Sequence, residues 1–263
     1  MNRQREIHAL REQLSALEPV GLLGAEDRFM LGAERQDAVL GGGLSRAALH
    51  EVVAAGSADA AAAIGFVTGL SLRAGGSLRP MLWVRQKASE IETGKLYPQG
   101  LLEMGLDPQS LIQVRLKDAT GVLRAGIEGA RCEALGCVVI EVWGSPKILD
   151  LTATRRLSLG AEQSGVPVFL LRFSQTVDSS AAATRWQVRS LASRPLEADA
   201  PGHPAFDVTL TRQRSGVCGL NWHMEWNRDR LQFEEKTVSR TVAAVPFDRT
   251  HQATGASGWR QAG

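Results

Sequence analysis

The sequence is short of the features that mark several large classes of protein. It has three cysteines, Cys132, Cys137 and Cys218, and an odd number cannot build a fully paired disulfide framework, so a reduced compartment fits better. No apolar run approaches the ~20 residues of a membrane-spanning helix. The opening MNRQREIH is charged and lacks the apolar region of a secretory signal. A surplus of one charge is missing too: 30 Lys and Arg against 28 Asp and Glu leave a formal +2. Bulk electrostatics therefore do not announce a nucleic-acid binder, and any such role needs a local patch. What is present is 263 residues, 44% hydrophobic and 22% charged. That suits one soluble, cytoplasmic globular domain whose core needs neither disulfide nor metal.

Residues 1–19 are predicted to hold an amphipathic helix, because Ile7, Leu10, Leu14 and Leu17 repeat at three- and four-residue steps over 3–18. The stripe must bury itself on the chain's own core or on another subunit. Glu18-Pro19 ends it. Residues 20–235 form the domain, and 236–263, rich in small residues, a flexible tail. Within the domain strands and helices alternate. Strands are predicted at Ala48–Val53, Pro80–Val84, Leu111–Leu116, Cys137–Trp143 and Val166–Leu171, with helices near 57–73, in parts of 88–104, after Asp118 and from Asp150 to Ser164. Cys137–Trp143 is almost continuously apolar, as parallel strands covered on both faces are. Trp186–Leu191 reads as a further strand, and Phe206–Arg212 with Leu220–Trp226 as an antiparallel hairpin. The fold class expected is α/β: a mainly parallel central sheet flanked by helices, with a late antiparallel hairpin.

The first strand-to-helix turn is where a phosphate loop would sit. Such a loop needs glycines for backbone approach, a lysine for charge and a hydroxyl for magnesium, as GxxxxGK[ST]. Here the turn is Ala54-Ala-Gly-Ser-Ala-Asp-Ala-Ala61, with Ala60 in the lysine position and Ala61 in the hydroxyl position. The Gly94-Lys95 pair has Ser89 and Leu96 where a glycine and a hydroxyl belong. Glu141 is either a metal-orienting acid at a strand end or a structural carboxylate facing solvent or a nearby arginine. The cysteines and the five scattered histidines make neither a zinc pattern nor a catalytic triad, and the thiols read as buried and structural. Trp83, Trp143, Trp186, Trp222 and Trp226 fall in strands and mostly read as core, and the polar 172–185 connection as a mobile surface loop.

The segment from Leu40-Gly-Gly-Gly-Leu44 to His50-Glu-Val-Val53 resembles the RecA recombinase core, where a glycine turn and a strand carrying an acid lead into the phosphate loop. Gly105–Val114, Cys137–Glu141 and Thr211–Gly216 follow in the same order. Together LGGGL, LWVRQ, LYPQGLLEMGLDP, LTATRRLSLGAEQSGVPVFLLR and TRWQVRS are similar to the ImuA family, RecA- and SulA-related proteins of bacterial damage-inducible mutagenesis cassettes. The resemblance implies a RecA-like domain and a non-catalytic accessory role in SOS-induced, error-prone translesion DNA synthesis. It implies ImuB and RecA as partners, with single-stranded DNA and the error-prone replicative-class polymerase as further ones. No cofactor, metal or membrane partner is expected. Gly56, Ser57, Ala60, Ala61 and Glu141 become a degenerate nucleotide site. Lys147, Arg155, Arg156, Arg172 and Arg185, flanking the two connections that correspond to DNA-facing loops, become candidate DNA contacts. Ile7, Leu10, Leu14 and Leu17 become a candidate partner helix. An ATP-hydrolysing RecA paralogue and a SulA-like division inhibitor are the competing readings.

Overall fold

The computed structural model of the chain describes residues 28–76, 79–174, 179–214, 216 and 218–236. The helix predicted within 1–19, with Ile7, Leu10, Leu14 and Leu17, lies outside the described residues, as does the predicted tail apart from Lys236. In chain order the elements are β1 (Arg28–Phe29), α1 (Glu34–Val39), β2 (Leu44–Ser45), β3 (Leu49–Ala54), α2 (Ala60–Ser71), β4 (Met81–Gln86), α3 (Lys87–Thr93), α4 (Pro98–Met104) and β5 (Leu111–Leu116). They continue with α5 (Ala119–Ala130), β6 (Cys137–Trp143), α6 (Leu151–Ser164), β7 (Val168–Phe173), β8 (Thr184–Leu191), β9 (Ala205–Gln213), β10 (Leu220–Asn227) and β11 (Gln232–Glu235).

Strands without polar alternation need cover on both faces, and β3, β6 and β7 lie side by side in the middle of the sheet. The order is β5-β4-β6-β7-β3-β8, all parallel, and then β9, β10 and β11 added antiparallel. The α/β architecture with its late hairpin is the one the sequence predicts. The hairpin joins the parallel sheet edge-on through β8, and β11 extends it.

The helices sit where their apolar stripes and caps put them. Asp118 accepts from the Gly121 N–H at 2.8 Å and Asp150 from the Ala153 N–H at 2.7 Å, so each carboxylate satisfies an orphan donor at a helix start. α5 and α6 bury Val122, Leu123, Leu157 and Ala161 against Val138, Ile140 and Leu170 on one face. On the other, α2 sets Phe66, Val67 and Leu70 against Phe169, Trp186, Phe206 and Phe233. The turn after α1 requires glycine: Gly41, Gly42 and Gly43 all have positive φ, and a Cβ on Gly43 would stand 2.3 Å from the Phe29 carbonyl oxygen.

Candidate functional site

In open parallel sheets ligands bind beyond the carboxyl ends of the strands, and the β3–α2 turn lies there. Part of its backbone is already hydrogen-bonded within the fold. The Ala55 N–H donates to Val188 O at 2.9 Å and the Asp59 N–H to Gly56 O at 3.1 Å, within a single 3-10 turn over Ser57–Asp59. Aligned to GxxxxGK[ST], the four defining positions hold Ala54, Asp59, Ala60 and Ala61. The Asp59 carboxylate accepts from the backbone N–H of Ser190 at 2.8 Å and from its hydroxyl at 3.0 Å, which ties the turn to β8. A fixed negative charge thus stands beside the place a triphosphate would occupy, with no lysine to offset it. Above Gly56 and Ser57 lies a cavity of about 140 Å³, walled by Ala54, Trp143, Phe173 and Ser174. The Trp143 and Phe173 rings, 5.4 Å apart, form its aromatic side. Gly94, with φ +80, ends α3 and is followed by no helix start at Lys95.

Glu141 is fully buried in β6, opposite Arg85 of β4 in the strand register. Arg85 Nη2 donates to one carboxylate oxygen at 2.7 Å and Trp83 Nε1 to the other at 2.9 Å. Burial pushes the Glu141 pKa up, against the pull of the Arg85 guanidinium and these two hydrogen bonds. Of the two sequence readings, the geometry is that of a structural carboxylate facing an arginine. Arg85 also donates to Thr93 Oγ1 at 3.1 Å, while its Nε and Nη1 find no partner among the described residues. Among the described residues no group of three or more His, Cys, Asp or Glu side chains is placed to hold a metal ion. No helix among them is long and apolar enough to cross a membrane.

The five candidate DNA-contacting cations separate into two groups. Arg172 and Arg185 must be corrected, because both are engaged by Glu51, a buried acid in β3. Arg172 Nη1 donates to Glu51 Oε1 at 3.0 Å, and Arg185 Nε to Oε2 at 2.6 Å, where Ser180 Oγ also donates at 2.9 Å. An unpaired buried carboxylate is costly, so these guanidinium groups are held by the core. The sequence signal was Glu51 itself, an acid inside an apolar run that demands cations on flanking strands. The connection after β7 is likewise no simple surface loop: Ser180, Ala181 and Ala182 are buried, and the Ala181 N–H donates to Thr154 Oγ1 on α6 at 3.1 Å. Lys147, Arg155 and Arg156 are exposed together around the start of α6, and none forms an ion pair with a described residue. The thiols also divide. Cys137 is buried beneath α2, whereas Cys132 and Cys218 are exposed, since each lies in a connection rather than in a sheet interior.

No family model matches the sequence. Two curated relatives, both named Protein ImuA and both from strains of Caulobacter vibrioides, are 34% identical over 196 residues, which is 68% of this chain and 75% of the relative. Among solved structures, the crystal structure of the RadB recombinase superposes with a TM-score of 0.54 over 80% of this chain and 100% of that one. The identity there is 17%. That likeness gives the fold as RecA-like and carries nothing about activity.

Proposed function

The chain belongs to the ImuA family, and from that premise we propose that it is a non-catalytic accessory protein of SOS-induced, error-prone translesion DNA synthesis, bridging ImuB and RecA. The observation that carries the non-catalytic part is the β3–α2 turn. Ala60 and Ala61 replace the two residues that manage phosphate charge and magnesium, and Asp59 places a carboxylate beside them. Catalysis of phosphoryl transfer is almost entirely positioning and charge stabilisation, and this turn supplies neither. Glu141, the residue a metal would need, has both oxygens committed to Arg85 and Trp83. A RecA-like body without a nucleotide cycle is suited to holding other proteins. ImuB and RecA are the partners the family implies, with the error-prone polymerase brought in through them.

Steady-state ATP hydrolysis by the purified chain, with and without single-stranded DNA, tests the first half. Background turnover unchanged in the core-neutral Arg85→Met/Glu141→Leu variant is expected, and robust turnover lost in that variant while it stays folded would overturn the reading. Retention of purified ImuB and RecA on the immobilised chain without nucleotide tests the second half. Failure to retain either protein would end the bridging role.

A further inference from the structure

Lys147, Arg155 and Arg156 do not stand alone on their face of the molecule. α6 buries Ala153, Thr154, Leu157, Ser158, Gly160 and Ala161. At 100° per residue the opposite arc carries Leu151, Arg155 and Leu159 at four-residue steps, with Arg156 three residues before Leu159. Leu151 is 55% exposed, Leu159 39%, and Ile148, just before the helix, 45%. A helix face whose only task is solvation is polar. This one holds a leucine between two guanidinium groups that pair with no described residue. The nearby carboxylates point to other partners: Asp150 caps Ala153, and Glu162 accepts from the Ser158 hydroxyl at 3.0 Å. The face therefore presents exposed apolar side chains beside three cations that form no ion pair with a described residue.

We propose that the outer face of α6 is a protein-docking surface for an acidic amphipathic segment. The segment's apolar side chains would seat on Ile148, Leu151 and Leu159, and its carboxylates would meet Lys147, Arg155 and Arg156. Charge complementarity selects this occupant. Phosphate contacts would use the three cations but give the exposed leucines nothing to do. The inference rests on the adaptor reading above, since it supplies that adaptor with one of its surfaces.

The test titrates the full-length labelled chain separately with ImuB, RecA and oligothymidylate, using wild type, Leu151→Asp/Leu159→Asp and Arg155→Glu/Arg156→Glu. Both double variants are expected to weaken binding to one of the two proteins about tenfold or more. The leucine pair should leave any oligothymidylate binding unchanged. Leu151, Arg155 and Arg156 are exposed and Leu159 partly so, which keeps melting temperatures close to wild type, and Asp at position 151 favours the helix N-terminus. Should the leucine variant lose stability, the arginine variant together with the salt dependence of the wild-type complex still decides. Wild-type affinity of both variants for both proteins would overturn the inference. So would an arginine effect confined to oligothymidylate, which would assign the face to DNA. Absence of binding by wild type to either protein would instead overturn the adaptor reading itself, and this surface with it.

Discussion

His50 joins three elements through one buried ring. Nε2 lies 2.8 Å from the Ser45 carbonyl and Nδ1 2.8 Å from Thr184 Oγ1, which also accepts from Trp186 Nε1 at 2.9 Å. The ring stacks on Phe169 at 5.8 Å. These contacts suit a neutral imidazole that donates from Nε2 and accepts at Nδ1. Burial lowers its pKa from 6.5 to about 4, with Arg28 adding to the effect and the Ser45 carbonyl opposing it. The unfolded chain therefore binds the proton more readily than the folded one. His50 contributes its full stability above pH 6.5, loses it as pH falls toward 4, and changes little below that. At 1.36 kcal/mol per pKa unit the loss comes to about 3 kcal/mol. Urea unfolding at pH 7 and pH 4.5 should show it in wild type and not in His50→Gln; an equal fall in both would refute the assignment. Glu141 poses the complementary case. Removing it leaves Arg85 charged and buried, so Glu141→Ala should cost about 3–5 kcal/mol, whereas Arg85→Met/Glu141→Leu should recover most of that. A double variant as unstable as the single one would mean that the pair contributes more than its desolvation costs.

Elements were legible where their signal is local. Leu111–Leu116 and Cys137–Trp143 have the limits read from sequence, because a half-apolar run in the first and a nearly continuous apolar run in the second are each bounded by turn residues. Asp118 and Asp150 announced the starts of α5 and α6 for the same reason: a cap acts within three residues. β11 was missed because Gln232–Glu235 carries one buried side chain, Phe233, among polar neighbours, and its pairing with β10 supplies the rest. The site failed to show itself for a different reason. Glu51 meets Arg172 from 121 positions away and Arg185 from 134, while Arg85 meets Glu141 from 56. Those pairings depend on strand order, which no local pattern encodes. So of two arginines that looked like surface cations, Arg172 is buried and Arg185 partly buried, both paired with Glu51. Three others stayed outside, in company with leucines whose exposure only the packing of α6 reveals. The alanines of the β3–α2 turn, by contrast, could be read directly, because that signal is a residue type at a fixed spacing.

At the scale of the whole molecule, the sheet order and the β3–α2 crossover keep the crevice in which such folds bind ligands, and the residues that line it differ from those of a phosphate loop. Asp59 supplies negative charge, Ala60 supplies no cation, and Trp143 with Phe173 lines the adjoining cavity with rings. Asp59 has also become structural, since its carboxylate fastens the turn to Ser190 on β8. If the proposed function holds, one side chain both ties the turn to the sheet and sets negative charge where a phosphate would lie. A ligand that binds only the folded state raises stability by RT ln(1 + [L]/Kd), about 2.7 kcal/mol at a hundredfold excess over Kd. Millimolar MgATP should accordingly leave the melting temperature of wild type where an equal ionic strength of sodium chloride leaves it. Ala60→Lys/Ala61→Thr alone should behave the same way, because the new lysine is neutralised by Asp59, and the Ala55 and Asp59 N–H groups stay committed within the fold. Asp59→Gly should lower the melting temperature by releasing Ser190, and only its combination with Ala60→Lys/Ala61→Thr should gain from MgATP. A rise of several degrees with MgATP in the wild-type chain would show that the turn reopens around nucleotide, and Asp59 would then be a latch on a working site.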